Sequence, residues 1–372
     1  METAPLRCNG NPGSIGRIAW ALGIGVLGVA MVHHPMILSR FGRIQTDLGD
    51  SRLIHYLLEH GYRWVRQDAG HRDLWSPPFF YPTSNAAAYS DLLLGVGPVY
   101  WLWRVLGAAP DLAFGFWMVS MSALNYAAGL LLFTRGLGFG MPAAAAGASL
   151  AAFGAPRVNQ LGHQQLLPCF YVLLVVYALA RLAGDRSMSR PARAAHWLLV
   201  VGGGVAQLYS GVYLGWLLVL GLGLATVAAL VLHSCRRVVL DIVKQDLWAI
   251  VVVGALGALC LQPFLSHYLP TARQVKTQYL LTLRMLHPQL WSWWNLGAGS
   301  WLWGWTAGRG PFRGLPSTAE HLLGIGFLTP WVCAAGLYLG RERPVCRLAV
   351  LVALFLWVAT TFLPGDAIAM AA

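Results

Sequence analysis

Six of the fourteen acids in the chain fall between Asp47 and Asp91, namely Asp47, Asp50, Glu59, Asp68, Asp73 and Asp91. The chain around them is greasy, and a carboxylate next to a bilayer is costly, so such a cluster calls for a function. Asp47 and Asp50 follow closely on the first long apolar run and are the candidate catalytic groups. Such a carboxylate can take the proton of a hydroxyl nucleophile or help hold a divalent cation. The same residues also allow a plainer reading, in which Asp50 caps a helix and Asp47 is solvated.

Two further groups carry chemistry. Arg157, Asn159, Gln160, His163, Gln164 and Gln165 crowd nine residues between two apolar runs. One cation, one imidazole and four amides can bind a phosphate or a sugar, or orient a carboxylate. Later, Arg273, Lys276, Arg284, Arg309 and Arg313 follow one another with no acid until Glu320. Such a loop suits an anionic headgroup, a phosphate or pyrophosphate on a lipid carrier, or general contact with lipid headgroups. Its tryptophans, Trp291, Trp293, Trp294, Trp301, Trp303 and Trp305, suit sugar stacking and an interfacial aromatic belt equally.

The elements that must position these groups follow from composition. Of 372 residues, 57% are hydrophobic and 11% charged, against about 25% charged in soluble domains. Ten apolar segments, near 18–38, 91–106, 110–134, 139–153, 166–182, 196–209, 211–232, 247–265, 321–340 and 345–363, predict an all-α polytopic bundle of nine to ten membrane segments. The whole chain reads as a single integral membrane domain, with external loops at 39–90 and 266–320. The net charge of +12 is explained by loop arginines that fix orientation, and no nucleic-acid-binding signature accompanies it. The six cysteines show neither CxxC nor metal spacing.

Arg181, Arg186, Arg190 and Arg193, then Arg236, Arg237 and Lys244, then Arg341 and Arg343 are placed in the cytoplasm by the positive-inside rule. Between residues 91 and 181 an odd number of crossings is then required, yet four segments are present. The preferred reading makes 91–106, broken by Gly95, Gly97, Pro98 and Arg104, a re-entrant or interfacial piece; the alternative is a crossing there and a half-helix at 139–153. Within the first loop, Asp50 as N-cap, Ser51 to His60 and a stop at Gly61 predict an amphipathic interfacial helix. Its apolar stripe is Leu53, Ile54, Leu57, Leu58, Trp64 and Val65; Arg52, His55, Glu59, Arg63 and Arg66 take the other face. Trp75 to Pro82, with three prolines, predicts a stiff extended segment.

Gly49-Asp50-Ser51-Arg52-Leu53, Leu58-Glu59-His60-Gly61-Tyr62-Arg63-Trp64, Trp75-Ser76-Pro77-Pro78-Phe79-Phe80-Tyr81-Pro82 and Tyr89-Ser90-Asp91 resemble segments of the GT-C superfamily of membrane glycosyltransferases. Pro156-Arg157, Leu161 to Leu167 and Leu302-Trp303-Gly304-Trp305 extend the resemblance along most of the chain. It implies a sugar transferred from a polyprenyl-phosphate donor to a glycan, lipid or protein acceptor at the outer face. Asp50 is the position matching the superfamily's essential acid, with Asp47 its rival. Asp91, Arg157, His163, Gln164, Arg273, Lys276, Arg309 and Arg313 are the implied substrate contacts, and a divalent cation is an open cofactor. The bilayer itself is the remaining partner. Members of the superfamily continue well past the last apolar run, whereas this chain stops soon after Gly365-Asp366, which points to a piece lacking a C-terminal part. A lipid-linked oligosaccharide flippase and a non-catalytic scaffold are the rival readings.

Overall fold

The computed structural model describes residues 13–44, 49–275, 286–316 and 319–362. Every regular element among the described residues is helical. The first helix, α1 (Gly13–Leu38), bends at His33, two residues before Pro35. Proline lacks the N–H that would have bonded the Met31 carbonyl, and the His34 ring Nδ1 takes that carbonyl at 3.0 Å instead. Next come α2 (Gly49–Val65), α3 (Gly97–Val105), α4 (Pro110–Leu131), α5 (Met141–Phe153) and α6 (Ala155–Asn159). They are followed by α7 (Phe170–Gly184), α8 (Arg190–Ser210), α9 (Val212–Val231) and α10 (His233–Val275). The last two are α11 (Thr329–Leu339) and α12 (Pro344–Phe362).

Among the described residues six stretches, built on α1, α4, α7, α9, α10 and α12, are long and apolar enough to cross a membrane. That is fewer than the nine to ten segments expected, for reasons of length and composition. The helices α3, α5 and α11 have 9, 13 and 11 residues, against about 20 for a full crossing. The α8 helix is long enough but carries Arg190, Arg193, His196 and Gln207. The nine residues of α3 cover only about 13 Å, short of a full helical crossing. The expected break near Tyr209–Gly211 is present, with α8 ending at Ser210 and α9 starting at Val212.

The predicted stop of α2 at Gly61 is absent; the helix continues to Val65. Gly61 is buried there, with Trp101 close against it. Ile54, Leu57 and Leu58 are buried as expected, but Val65 is half exposed. Nor is the opposite face simply solvated. Glu59 accepts from Arg104 Nε at 2.9 Å, Arg63 Nε at 3.0 Å and the Tyr100 hydroxyl at 2.8 Å. Burial pushes the Glu59 carboxyl up, but the hydrogen bonds from Arg104, Arg63 and Tyr100 outweigh it and the net shift is downward. These bonds lock α2 onto α3.

The α10 helix has 43 residues and is about 65 Å long, twice a hydrocarbon core. Residues 266–275, expected in a loop, continue it. The predicted straight run from Trp75 to Pro82 instead bends, and its neighbourhood is pinned to the end of α10. Trp75 stacks on His267 at 4.1 Å between centroids. Asn85 Oδ1 lies 2.7 Å from His267 Nδ1, and the Tyr268 hydroxyl donates to the Ser90 carbonyl at 2.7 Å.

About a third of the way along α10, Asp246 accepts two bonds from Arg193, each 2.6 Å, and one from Trp197 at 2.9 Å. Both members of this ion pair are buried. Arg181 bonds the Arg135 carbonyl and Asp185 nearby, and Arg186 pairs with Asp241. Removing one member of such a pair strands a buried charge. Asp246→Asn is therefore expected to lower stability by on the order of 3–5 kcal/mol, and Arg193→Met with Asp246→Leu to recover most of it. Unfolding of the detergent-solubilised variants, followed by tryptophan fluorescence, measures both.

Candidate functional site

Between α6 and α7 the chain runs through residues 160–169, irregular but for the 3₁₀ turn Gln164–Leu166, and packed among helices. Its polar groups need partners, and three helices or helix ends supply them. Arg157 Nη1 donates to the Leu166 carbonyl at 3.0 Å, and Gln207 Nε2 of α8 to Pro168 at 3.1 Å. Asn125 of α4 donates to the Leu167 carbonyl at 2.8 Å and accepts the Cys169 N–H at 2.9 Å. Both Asn125 and Gln207 are fully buried. Gln164, also fully buried, donates to the Ser51 hydroxyl of α2 at 2.7 Å and to the Leu161 carbonyl at 2.8 Å.

This anchoring presents His163 to two carboxylates from distant parts of the chain. Its Nδ1 lies 2.7 Å from Asp50 Oδ2, and its Nε2 lies 3.8 Å from Glu320 Oε1. An ionised Asp50 can only accept, so Nδ1 carries the proton and Nε2 of the neutral ring holds a lone pair. The Nε2–Glu320 separation is too long for a hydrogen bond. All three side chains are about a third to two fifths exposed, so solvent and ligands reach them. Asp50 lies within the first turn of α2, where the helix dipole favours an acid, not one residue before it as a cap.

Asp91 belongs to the same neighbourhood. It is buried, and its Oδ1 accepts the Val212 N–H at the start of α9 at 2.6 Å. Gly211 allows α9 to start there, because a Cβ at that position would sit 2.7 Å from the Gln165 carbonyl oxygen. Burial pushes the Asp91 carboxyl up to about 6; the Val212 bond opposes this and the Asp50 charge adds to it. Asp91 thus anchors the start of α9 close to Asp50.

The other expected residues divide. Asp50 and His163 are brought together. Gln164 uses both amide hydrogens on Ser51 and the Leu161 carbonyl, whereas Arg157 gives one of its five guanidinium N–H groups to the Leu166 carbonyl. Arg273, Arg309 and Arg313 are exposed, and none is paired with a carboxylate among the described residues. Arg309 and Arg313 flank the turn Gly310–Phe312. Phe312 meets Trp291 edge-on, and Ser292 bonds His321, the neighbour of Glu320. The basic loop therefore connects to the site through packing and touches His163 only through Glu320. Asp47 and Lys276 lie outside the described residues. Among the described residues no three His, Cys, Asp or Glu side chains converge as a metal would need, so the divalent cation finds no ready donor set there.

Sequence reasoning missed Glu320, Asn125 and Gln207. Glu320 had one signal, as the first acid after a long cationic stretch. Asn125 and Gln207 had only their polarity within apolar runs.

What the arrangement offers is acceptors: two carboxylates and an imidazole lone pair, all partly exposed. It suits a ligand group that donates a hydrogen bond and gives up a proton, as a hydroxyl does.

Two outcomes follow from this geometry. Asn125→Leu leaves a buried carbonyl and a buried N–H unpaired, at about 1–3 kcal/mol each, and should lower the melting temperature more than Gln207→Leu, which orphans one carbonyl. Asp91 sets a pH dependence. Its folded value of about 6 exceeds the ordinary 3.8, so its contribution is fully present below about pH 4 and is lost as pH rises through about 6. The loss is roughly 2–3 kcal/mol. Asp91→Asn, which keeps an oxygen for Val212, should flatten melting temperature against pH across that window. No family model matches the chain, and no curated protein or solved structure is significantly similar to it.

Proposed function

We propose that this chain is an integral membrane protein that transfers a sugar from a polyprenyl-phosphate donor to a hydroxyl of a glycan, lipid or protein acceptor. The observation that carries this reading is the 2.7 Å contact of Asp50 with His163 across 113 residues of sequence, with Glu320 on the far side of the ring. The acceptor hydroxyl approaches His163 Nε2 from its exposed side and gives its proton to that nitrogen. Its oxygen forms the new bond to the sugar carbon, the carbon–oxygen bond to the carrier phosphate breaks, and the electron pair leaves on the phosphate. Asp50 is the catalytic carboxylate of this pair: it fixes the tautomer of His163 and offsets the charge of the imidazolium that forms. Arg273, Arg309 and Arg313, without carboxylate partners, are the groups available to the departing phosphate.

The distribution of charge supports an outward-facing site. Arg135, Arg181, Arg186 and Arg193 gather at the end where α4 and α7 finish and α8 begins, the end that the positive-inside rule puts in the cytoplasm. Asp246 to Phe264 of α10 spans about 27 Å, close to a hydrocarbon thickness. Beyond Phe264 lie the contacts to the acidic loop and Asp91.

In vesicles supplied with polyprenyl-phosphate-linked sugars, Asp50→Asn should lower transfer about 10²–10⁴-fold with insertion unchanged. Wild-type turnover in that variant would sink the assignment. Sidedness has its own readout: Arg52→Cys, in a background free of native cysteines, should react with an impermeant thiol reagent from the external side.

A further inference from the structure

The groove at the opposite end of the bundle is used by nothing described so far. It has a volume of about 380 Å³ and is lined by Leu232, Leu337, Cys346, Val350 and Leu351, with Arg341 and Arg347 at its edge. That is the size range of small-ligand sites. The floor is aliphatic, and Leu337 and Leu351 remain some two fifths exposed. The two guanidiniums are held in place. Arg341 lies over the Tyr338 ring at 4.3 Å and donates to the Tyr338 carbonyl at 2.9 Å. Arg347 donates through Nε to the Arg341 carbonyl at 2.7 Å and through Nη2 to Glu342 at 2.9 Å. Glu342 is the acid facing them, and it is 78% exposed. Arg343 beside it, and Arg236 and Arg237 just past Leu232, add further positive charge.

We infer that this groove binds one anionic phospholipid, its phosphate replacing the exposed Glu342 carboxylate between Arg341 and Arg347 and an acyl chain along Leu232, Leu337, Val350 and Leu351. The inference rests on the membrane reading above and on charge complementarity. An apolar floor under a positive rim matches a molecule with a hydrocarbon chain and a negative head. A second copy of the same chain would bring arginine against arginine. A free phosphate would leave the aliphatic floor wet.

The test uses the full chain in detergent, titrated with phosphatidylglycerol or phosphatidylcholine and read by native mass spectrometry and by melting temperature. The wild type should retain phosphatidylglycerol preferentially and melt higher with it than with phosphatidylcholine. Each arginine contributes about a factor of five, so Arg341→Ala with Arg347→Ala should weaken phosphatidylglycerol binding about 25-fold and erase the preference. Leu337→Trp with Val350→Trp keeps the charges and fills the groove; it too should abolish retention. Equal retention of the two lipids by the wild type would overturn the site. So would full retention in either double variant, or the same rise in melting temperature with inorganic phosphate alone. Failure of the membrane reading shows separately, as release of the chain from membranes by alkaline carbonate. Loss of sugar transfer leaves this result untouched.

Discussion

A stretch of largely irregular chain packed among apolar helices must have its buried backbone groups paired from within the protein. Residues 160–169 meet that requirement with Asn125 from α4, Gln207 from α8 and Arg157 from the preceding short helix. This constraint fixes where His163 can stand. The ring does not choose its position by its own contacts; the carbonyls on the residues just after it do. Asp50 and Glu320 then come to a ring that is already placed.

The bracing extends outward from there. Gln164 ties the connection to Ser51, one residue from Asp50. Glu59, two turns further along α2, binds Arg104 and Tyr100 and so stops α2 from rolling over α3. Asp91 joins the start of α9 to the same neighbourhood through Val212. Three carboxylates of the acidic stretch thus share the work: Asp50 meets the ring, Glu59 secures the helix that carries Asp50, and Asp91 sets the floor beneath it. Glu59 is kept ionised by its guanidinium partners, whereas burial, helped by the nearby Asp50 charge and only partly offset by the Val212 N–H, pushes Asp91 the other way. Environment, and not residue type, separates the two roles.

Much of this was legible in the residues. Apolar runs gave the helical class, the break at Gly211 gave two helices in place of one, and the polar cluster around His163 stood out against its surroundings. That it shares a side with the acidic loop follows from the arginine parity, but its pairing with Asp50 does not. What stayed hidden is non-local. Gln164 looked like a ligand group because its side chain can bind phosphates and sugars, but Ser51 and the Leu161 carbonyl had prior claims on its amide hydrogens. Glu320 lies 157 positions from His163, and no periodicity connects the two. Gly61 looked like a helix stop because an isolated glycine weakens a helix; the close approach of Trp101 outweighed that cost. The overcount of spans has the same origin: apolar composition marks burial, and α5 is buried against α1 and α4 without being long enough to cross.

The α10 helix is clamped about a third of the way along by the Arg193–Asp246 pair and fastened past Pro263 to Trp75, Asn85 and Ser90. The arm from Asp246 to Val275 is about 43 Å. A lean of about 5° at the clamp would therefore carry the far tip roughly 4 Å, more than a hydrogen bond tolerates. Bilayer thickness, which sets how far such helices lean, thereby becomes a variable of the acidic loop, felt at Asp91 without any ligand crossing the distance.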